Sequence, residues 1–330
     1  MACILSYDDL NWIEMIFAFG GFDMKFDIIL NQVLILFLIL GMGYAGGKFG
    51  ILDSKGTKKL SEVLLYISSP MLVLNSLFIE YSREHLINII WTIVFSAAVL
   101  TFAIFLSKLI YGRFSEKTSV VLRYTAIFSN CGYIGLPIMK AVFGDEGVFY
   151  GTFYVVIFQF FIWSYGYAMF GAKDTIGNTI KKVLINPSII AAFVGTIVFI
   201  FQIPVPAYIK GAIKSVGDTT MPLSMLIVGG VMSTAKLAAL FNDWKVYLSS
   251  FVRLVFMPVL AFLASKLAGV PSLPAAVTVT ALAMPAATNT TVFSEMFDKD
   301  SVFASKCVTV SSLLSIITIP LIIGWVASYV

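Results

Sequence analysis

From Ile28 to the end of the chain, apolar runs of about twenty residues recur, parted by short polar joints. A helix of about 20 residues crosses the roughly 30 Å of hydrocarbon in a bilayer. Within hydrocarbon only helices and closed barrels satisfy their own backbone groups, and these runs lack the strict alternation of barrel strands. The spacing predicts ten helical spans, near 28–47, 58–79, 86–110, 119–142, 148–171, 187–203, 212–234, 246–268, 273–296 and 301–328. An all-α polytopic membrane protein is the fold class this dictates.

Composition agrees. Apolar residues make up 59% of the chain and charged residues only 12%, about half the charged fraction of a soluble domain. A water-soluble globule of this length would need far more polar surface to cover its core. The net charge of +4 is spread through the loops, which argues against a nucleic-acid partner. Cys3, Cys131 and Cys307 lie far apart, and His85 is the single histidine, so neither a metal site nor a redox pair is expected. No Ser-His-Asp, Cys-His, paired-carboxylate or phosphate-loop constellation occurs, so no enzyme and no cofactor are expected. Gly41-Met-Gly43 with Gly46-Gly47 reads as a small-residue packing face, since no strand precedes it.

Alternate joints differ in charge. One side collects Lys48, Lys55, Lys58, Lys59, Lys108, Arg113, Lys117, Arg123, Lys173, Lys181, Lys182, Lys236, Lys245 and Lys299; the other has Lys25, Arg83, Lys140, Lys210, Lys214 and Lys266. The excess marks the first side as cytoplasmic and puts both termini outside the cell membrane. Residues 1–25 carry Asp8, Asp9, Glu14 and Asp23 without a basic leader, a poor signal peptide. Two readings stand for them: an extension upstream of a true start at Met24, or an amphipathic helix on the outer leaflet.

Two stretches repeat. Ser68-Ser69-Pro70-Met-Leu-Val-Leu in the second span is echoed by Thr219-Thr220-Met221-Pro222-Leu-Ser-Met-Leu in the seventh. Phe143-Gly-Asp-Glu-Gly-Val-Phe149 after the fourth is echoed by Phe297-Asp-Lys-Asp-Ser-Val-Phe303 after the ninth. A five-span unit repeated once must return inverted, because five is odd. The expected organisation is residues 26–171 as one repeat, 172–186 as a cytoplasmic joint and 187–330 as the second, inverted repeat.

Spans four and nine are built to break. Phe128-Ser-Asn-Cys-Gly-Tyr-Ile-Gly-Leu-Pro137 places Gly132, Gly135 and Pro137 mid-span, removing helix propensity and a backbone donor. Ala283-Met-Pro285-Ala-Ala-Thr-Asn289-Thr-Thr-Val-Phe sets Pro285 before a polar cluster that includes Thr288 and Thr290. Unwound backbone at this depth belongs inside protein or beside a watery cavity; a simple kink is the competing reading. Asn130 and Asn289 occupy the two breaks and offer donors and an acceptor without a charge to desolvate. Half-helix N-termini pointing at one place would add partial positive charge, suited to a carboxylate. Gln159 and Asn75 either face the same cavity or make ordinary interhelical bonds. Glu295, Lys306 and Arg253 are expected to snorkel to the cytoplasmic end, Glu295 and Lys306 alternatively pairing. His85 and Asp218 should be wet, and the many Phe side chains should face lipid.

Asn130-Cys-Gly-Tyr-Ile-Gly-Leu-Pro137, Met284-Pro-Ala-Ala-Thr-Asn-Thr-Thr-Val-Phe-Ser-Glu295, Pro70-Met-Leu-Val-Leu and Gly50-Ile-Leu-Asp53 together resemble the auxin efflux carrier family, from Phe26 onward. The resemblance implies ten helices in two inverted five-helix repeats, a fold similar to bile-acid symporters and sodium/proton antiporters. It implies a scaffold of spans 1, 2, 6 and 7 that pairs into a homodimer. It also implies a mobile domain of spans 3–5 and 8–10, with helices 4 and 9 crossing at Pro137 and Pro285. By the same resemblance Asn130 and Asn289 bind a substrate carboxylate, Gln159 helps line the pocket, and transport is elevator-like. The plant carriers' long loop is absent, since only the Lys173–Asn186 joint stands there; short members resemble carriers of malate, malonate or related acids rather than of auxin. The expected function is secondary transport of a small organic anion, with proton or sodium coupling left open. The alternatives are a coupled carrier of another solute and a ligand-binding membrane sensor.

Overall fold

The computed structural model describes residues 24–171, 176–233 and 243–328. The expectations for the N-terminal extension, and those for joint residues 172–175 and 234–242, lie outside the described residues. The chain runs through α1 (Met24–Lys48), α2 (Ser54–Val63), α3 (Ser69–Ser76), α4 (Arg83–Tyr111), α5 (Glu116–Ile127), α6 (Leu136–Phe161), α7 (Tyr167–Met169) and α8 (Ile176–Leu184). It continues through α9 (Pro187–Phe201), α10 (Ala207–Asp218), α11 (Thr220–Ser233), α12 (Trp244–Phe251), α13 (Met257–Leu267), α14 (Ser272–Ala283), α15 (Asn289–Met296) and α16 (Ser301–Ala327). Among the described residues the one β-contact is an isolated antiparallel bridge.

Arg83–Tyr111, Cys131–Met169, Trp244–Leu267 and Ser301–Ala327 are helical stretches long and apolar enough to cross a membrane; Leu34–Lys48, Pro187–Phe201 and Ser272–Ala283 are apolar but shorter. Cys131–Met169 is not one rod. The chain reverses at Gly144, where φ is +67°, a conformation that glycine alone adopts without strain. Polarity is inside out. Along α4 the exposed positions are Ile87, Ile90, Val94, Phe102, Phe105 and Leu109, at helical spacing, while Asn88, Thr92, Ser96 and Ser107 are buried. Water would be a poor solvent for such a surface, and hydrocarbon a good one.

Prolines shape three of the long helices. Ahead of Pro70, Pro137 and Pro258 the helix widens into a π-turn, over Leu64–Ser68, Cys131–Gly135 and Val252–Phe256. In each, the residue before proline donates to the carbonyl five residues back: Ser69 to Leu64, Leu136 to Cys131 and Met257 to Val252. The missing N–H and the ring's clash with the carbonyl four back are relieved by one inserted residue.

The helices pack most densely in two groups, which meet where α16 lies on α1. α1 lies along α11, and α3 lies between α9 and α10; α4 packs on α5, α6 and α14, and α16 packs on α12, α14 and α15. Glycines allow the first contact. A side chain on Gly43 would strike the main chain of Leu226, and one on Gly229 would strike the Leu40 carbonyl and the Tyr44 amide. Gly41, one residue type in the same motif, faces open space.

Several sequence expectations are corrected here. Arg253 does not snorkel: it is wholly buried. His85 is half-buried, its Nδ1 2.7 Å from the Tyr150 hydroxyl and its ring against Phe149 and Phe199. Of the two readings for Glu295 and Lys306 only the alternative, an ion pair between them, is absent, and Glu295 is exposed; the ion pair at this end is Lys299 to Glu116, at 3.0 Å. Nor are the aromatics mainly lipid-facing, since Phe128, Phe149, Phe158, Phe170, Phe199 and Phe293 are all buried.

The glycine contact yields a test. Gly229→Ala should lower the thermal midpoint of detergent-purified protein, consistent with an overpacking penalty of about 1–3 kcal/mol, while Gly41→Ala leaves it unchanged. Equal midpoints for the two variants would contradict the packing described.

Candidate functional site

α5 ends at Ile127 and α14 at Ala283, and from each the chain continues in extended form before a helix restarts. Met284 is held extended (φ −69°, ψ 149°), as the residue before a proline prefers. The two extended segments pair antiparallel at Ser129 and Ala286. The Asn130 amide donates to the Pro285 carbonyl (2.7 Å), and the Ala287 amide donates to the Phe128 carbonyl (3.0 Å). The Ala286 amide donates outward to Ser311 Oγ on α16 (3.2 Å). Each break thus supplies partners for the other, which non-helical backbone inside a membrane bundle requires.

The ends of α5 and α14 share one further partner. The Arg253 guanidinium donates from Nε to the Met284 carbonyl (3.1 Å), from Nη1 to those of Ala126 (2.9 Å) and Ile127 (3.3 Å), and from Nη2 to that of Leu282. Carbonyls that lose their helical donors at two C-termini are collected by a single planar fork. Pro258 sets this up, because the π-turn it induces contains Arg253.

The restarting helices are different. Asp53, Ser82, Asn186, Asp243 and Asp300 cap the starts of α2, α4, α9, α12 and α16 with side-chain acceptors. Asn130 and Thr288, which stand at the restarts, make no such cap. At α15 the Thr290 and Thr291 amides turn back to the Ala287 (3.0 Å) and Thr288 (3.2 Å) carbonyls, so what the two restarts share is the lack of a side-chain cap.

Two cavities flank the crossing. One of about 240 Å³ is lined by Ser129, Asn130, Gly132, Tyr133, Gln159, Trp163, Ser69, Asn186, Ser188, Thr288 and Asn289, with apolar neighbours. The other, about 520 Å³, is lined by Ser61, Asn130, Tyr133, Thr288, Thr291, Ser305, Thr309 and Ser312, with Val and Met side chains of α11. Asn130, Tyr133 and Thr288 face both. Neither lining contains Asp, Glu, Lys or Arg. Both lie toward the end of the bundle that carries the lysine-rich joints: Ser305 and Asn186 open α16 and α9, and Met232 closes α11. At the other end Phe149, Tyr150, Phe199, His85 and Leu77 are packed together.

Of the residues singled out in the sequence, Asn130, Asn289, Gln159, Gly132 and Thr288 share the smaller cavity. Asn130 is only 5% exposed, yet among the described residues its side-chain amide, like those of Asn289 and Gln159, bonds to no other protein group. A buried amide without a partner is costly unless something else occupies it. Gly135 is buried where a side chain would meet Met284, and Thr290 spends its hydroxyl on the Ala287 carbonyl (2.6 Å). Pro285 stands in the crossing segment; Pro137 does not, lying in the first turn of α6 beyond the π-turn. The first helix breaks earlier, at 128–130, because the π-turn absorbs the proline within helical geometry. Asn75, on the last turn of α3, lines neither cavity. Sequence reasoning missed Tyr133, the hydroxyls of Ser69, Ser188, Thr291 and Thr309, and Arg253. Only Arg253 left a signal, a full charge within an apolar span, five residues before a proline.

Crossed, broken helices enclosing a polar cavity within a lipid-facing bundle define a class, the multi-pass membrane transport proteins. The family model for membrane transport proteins matches residues 28–178 and 174–323. An uncharacterized transporter of Methanocaldococcus jannaschii is 23% identical over 307 residues, covering 90% of this chain and 98% of the relative. One of Methanothermobacter thermautotrophicus is 25% identical over 304 residues, covering 88% and 96%. The chain belongs to this membrane transport family, the auxin efflux carrier family that its motifs resemble.

Gly132 gives the cavity a direct probe, since a side chain added there meets nothing within 4 Å. Gly132→Cys, with Cys131 and the other cysteines replaced, should react with a membrane-impermeant thiol reagent from the lysine-rich face. A second variant that keeps Gly132 and has the buried Cys131 as its one cysteine should not react. Labelling of Cys131 and not of position 132 would show the cavity to be wrongly drawn.

Proposed function

We propose that the protein is a secondary transporter of a small organic anion, a carboxylate such as malate, malonate or an auxin-like acid. The carboxylate would sit in the smaller cavity between Asn130 and Asn289, with Gln159 beside it. One observation carries the reading: three unengaged amides and two uncapped helix starts converge on a cavity whose lining holds no charged side chain. Amide donors and half-helix N-termini stabilise a carboxylate at far smaller desolvation cost than Arg or Lys would incur. Such a site also releases its ligand, as a carrier must.

In the same reading the chain forms ten spans, residues 26–171 and 187–330 being two inverted repeats joined through 172–186. The α1, α3, α9, α10 and α11 group would be the scaffold and face a second copy in a homodimer; the α4–α6 and α12–α16 group would move as an elevator. The packing of helices into these two groups supports that division. The positive-inside excess supports a plasma-membrane orientation with both termini outside. With cavities reaching the lysine-rich end and aromatic rings closing the opposite end, the conformation corresponds to one open to the cytoplasm.

Purified protein should be thermally stabilised by at least one member of a panel of mono- and dicarboxylates. Saturation at a hundred times Kd corresponds to about 2.7 kcal/mol, and the shift should vanish in Asn289→Ala. Stabilisation by sodium or by a pH change, with every acid silent, would contradict the anion site and favour an ion-coupled carrier of another solute. Flux of the stabilising acid into liposomes separates a carrier from a membrane sensor.

A further inference from the structure

Charge at the crossing does not balance, and the imbalance traces to one residue. A helix C-terminus carries roughly half a unit of negative charge and an N-terminus roughly half a unit of positive charge. Two helices end at the crossing, α5 and α14, and two begin there, at Cys131 and Asn289. Backbone alone would therefore leave the crossing close to neutral. Arg253 adds a full positive charge, since a guanidinium keeps its proton in proteins. Its bonds go to the Ala126, Ile127, Leu282 and Met284 carbonyls, the negative ends. Those ends are thereby compensated, and the two positive helix starts are left without a counter-charge on the cavity side.

Nothing else in the surroundings restores neutrality. Arg253 is fully buried and, among the described residues, makes no ion pair. Neither cavity lining supplies a carboxylate. A neutral side-chain donor could have bonded to some of the same carbonyls without the heavy desolvation that a buried ion incurs. The side-chain amide of Asn130, unpartnered among the described residues and 5% exposed as a residue, borders the cavity where the missing negative charge would sit.

We propose that Arg253 is the residue that makes this site select an anion: it gives the empty crossing a net charge of about one positive unit, which one bound carboxylate neutralises. The inference rests on the anion-transport reading and deepens it. Arg253 touches no substrate in this scheme; it acts through the two helix ends it holds. The site takes one carboxylate, so a second acid group on the ligand must lie out in the water-filled part of the cavity. With a monocarboxylate the loaded domain is neutral and the empty one positive, so the membrane potential acts on the empty domain's return and not on the loaded step.

The experiment compares each acid with its uncharged amide, malonate beside malonamide and phenylacetate beside phenylacetamide, by binding to purified wild type, Arg253→Lys, Arg253→Gln and Asn289→Ala. Wild type should prefer the acid. In Arg253→Gln the acid-to-amide preference should fall at least tenfold with amide binding little changed, and in Arg253→Lys, which keeps the charge but not the fork, it should persist. A loss of fold would weaken acid and amide alike, so the ratio separates charge from structure. A folded Arg253→Gln that prefers the acid as wild type does, while Asn289→Ala loses binding, overturns the role of Arg253 and leaves the anion site standing. A wild type that binds none of the acids overturns both. Should neither Arg253 variant fold, wild-type liposomes decide: exchange of a monocarboxylate, phenylacetate for phenylacetate, should be indifferent to an imposed potassium diffusion potential. An exchange rate that follows the potential, as a negatively charged loaded domain requires, overturns the proposal.

Discussion

Every backbone amide and carbonyl withdrawn into hydrocarbon must find a partner within the protein, and the centre of this structure is organised around that requirement. Two helices stop in mid-bundle, which exposes carbonyls at two C-termini and amides at two restarts. The segments between them bond to each other through Asn130, Pro285, Phe128 and Ala287. The stranded carbonyls go to Arg253. The two restarts carry no side-chain cap, and both border a cavity. Local satisfaction of the backbone and a polar cavity beside the crossing are two results of one geometry.

The rest of the bundle supports that centre. Proline-induced π-turns shift helix register without breaking it, and one of them places Arg253 beneath the crossing. Glycines bring α1 against α11 closely enough that a methyl group would strike main chain. Behind the crossing the Tyr124 and Phe128 rings lie tilted against each other at 4.5 Å, with Phe158 and Phe293 edge-on to them, a stiff wall of the kind that holds extended backbone in place. Lys299 to Glu116 ties α5 to the turn after α15, so the two broken helices are joined at their outer ends as well as in the middle.

Much of this was legible in the sequence, for physical reasons that differ from element to element. Apolar run length is a strong signal because the bilayer imposes a length, and helices such as Arg83–Tyr111 and Ser301–Ala327 lie close to where it puts them. Asn130 and Asn289 were legible because polar side chains beside Gly or Pro in an apolar run have few reasons to be there. Pro137 misled as a crossing point: a proline can be absorbed by a π-turn, and only three-dimensional packing decides between bulge and break. Arg253 misled more seriously. Near the end of a span the usual fate of an arginine is to reach for water, and its actual partners lie 29 to 127 residues away along the chain. Backbone acceptors have no sequence signature. The burial of Phe128, Phe158 and Phe293 was hidden for a related reason, since phenylalanine suits lipid and core equally well.

The most direct test of an anion held at the crossing is to see one there. A cryo-electron microscopy map of the protein in lipid nanodiscs, collected with a bound bromo-substituted carboxylate that the transport assay accepts, would locate it. The account predicts density for the carboxylate beside the Asn130 and Asn289 amides at the start of α15, with the Arg253 bonds unbroken beneath. Density on any other surface, or a filled site in which Arg253 has swung round to meet the carboxylate itself, would contradict it.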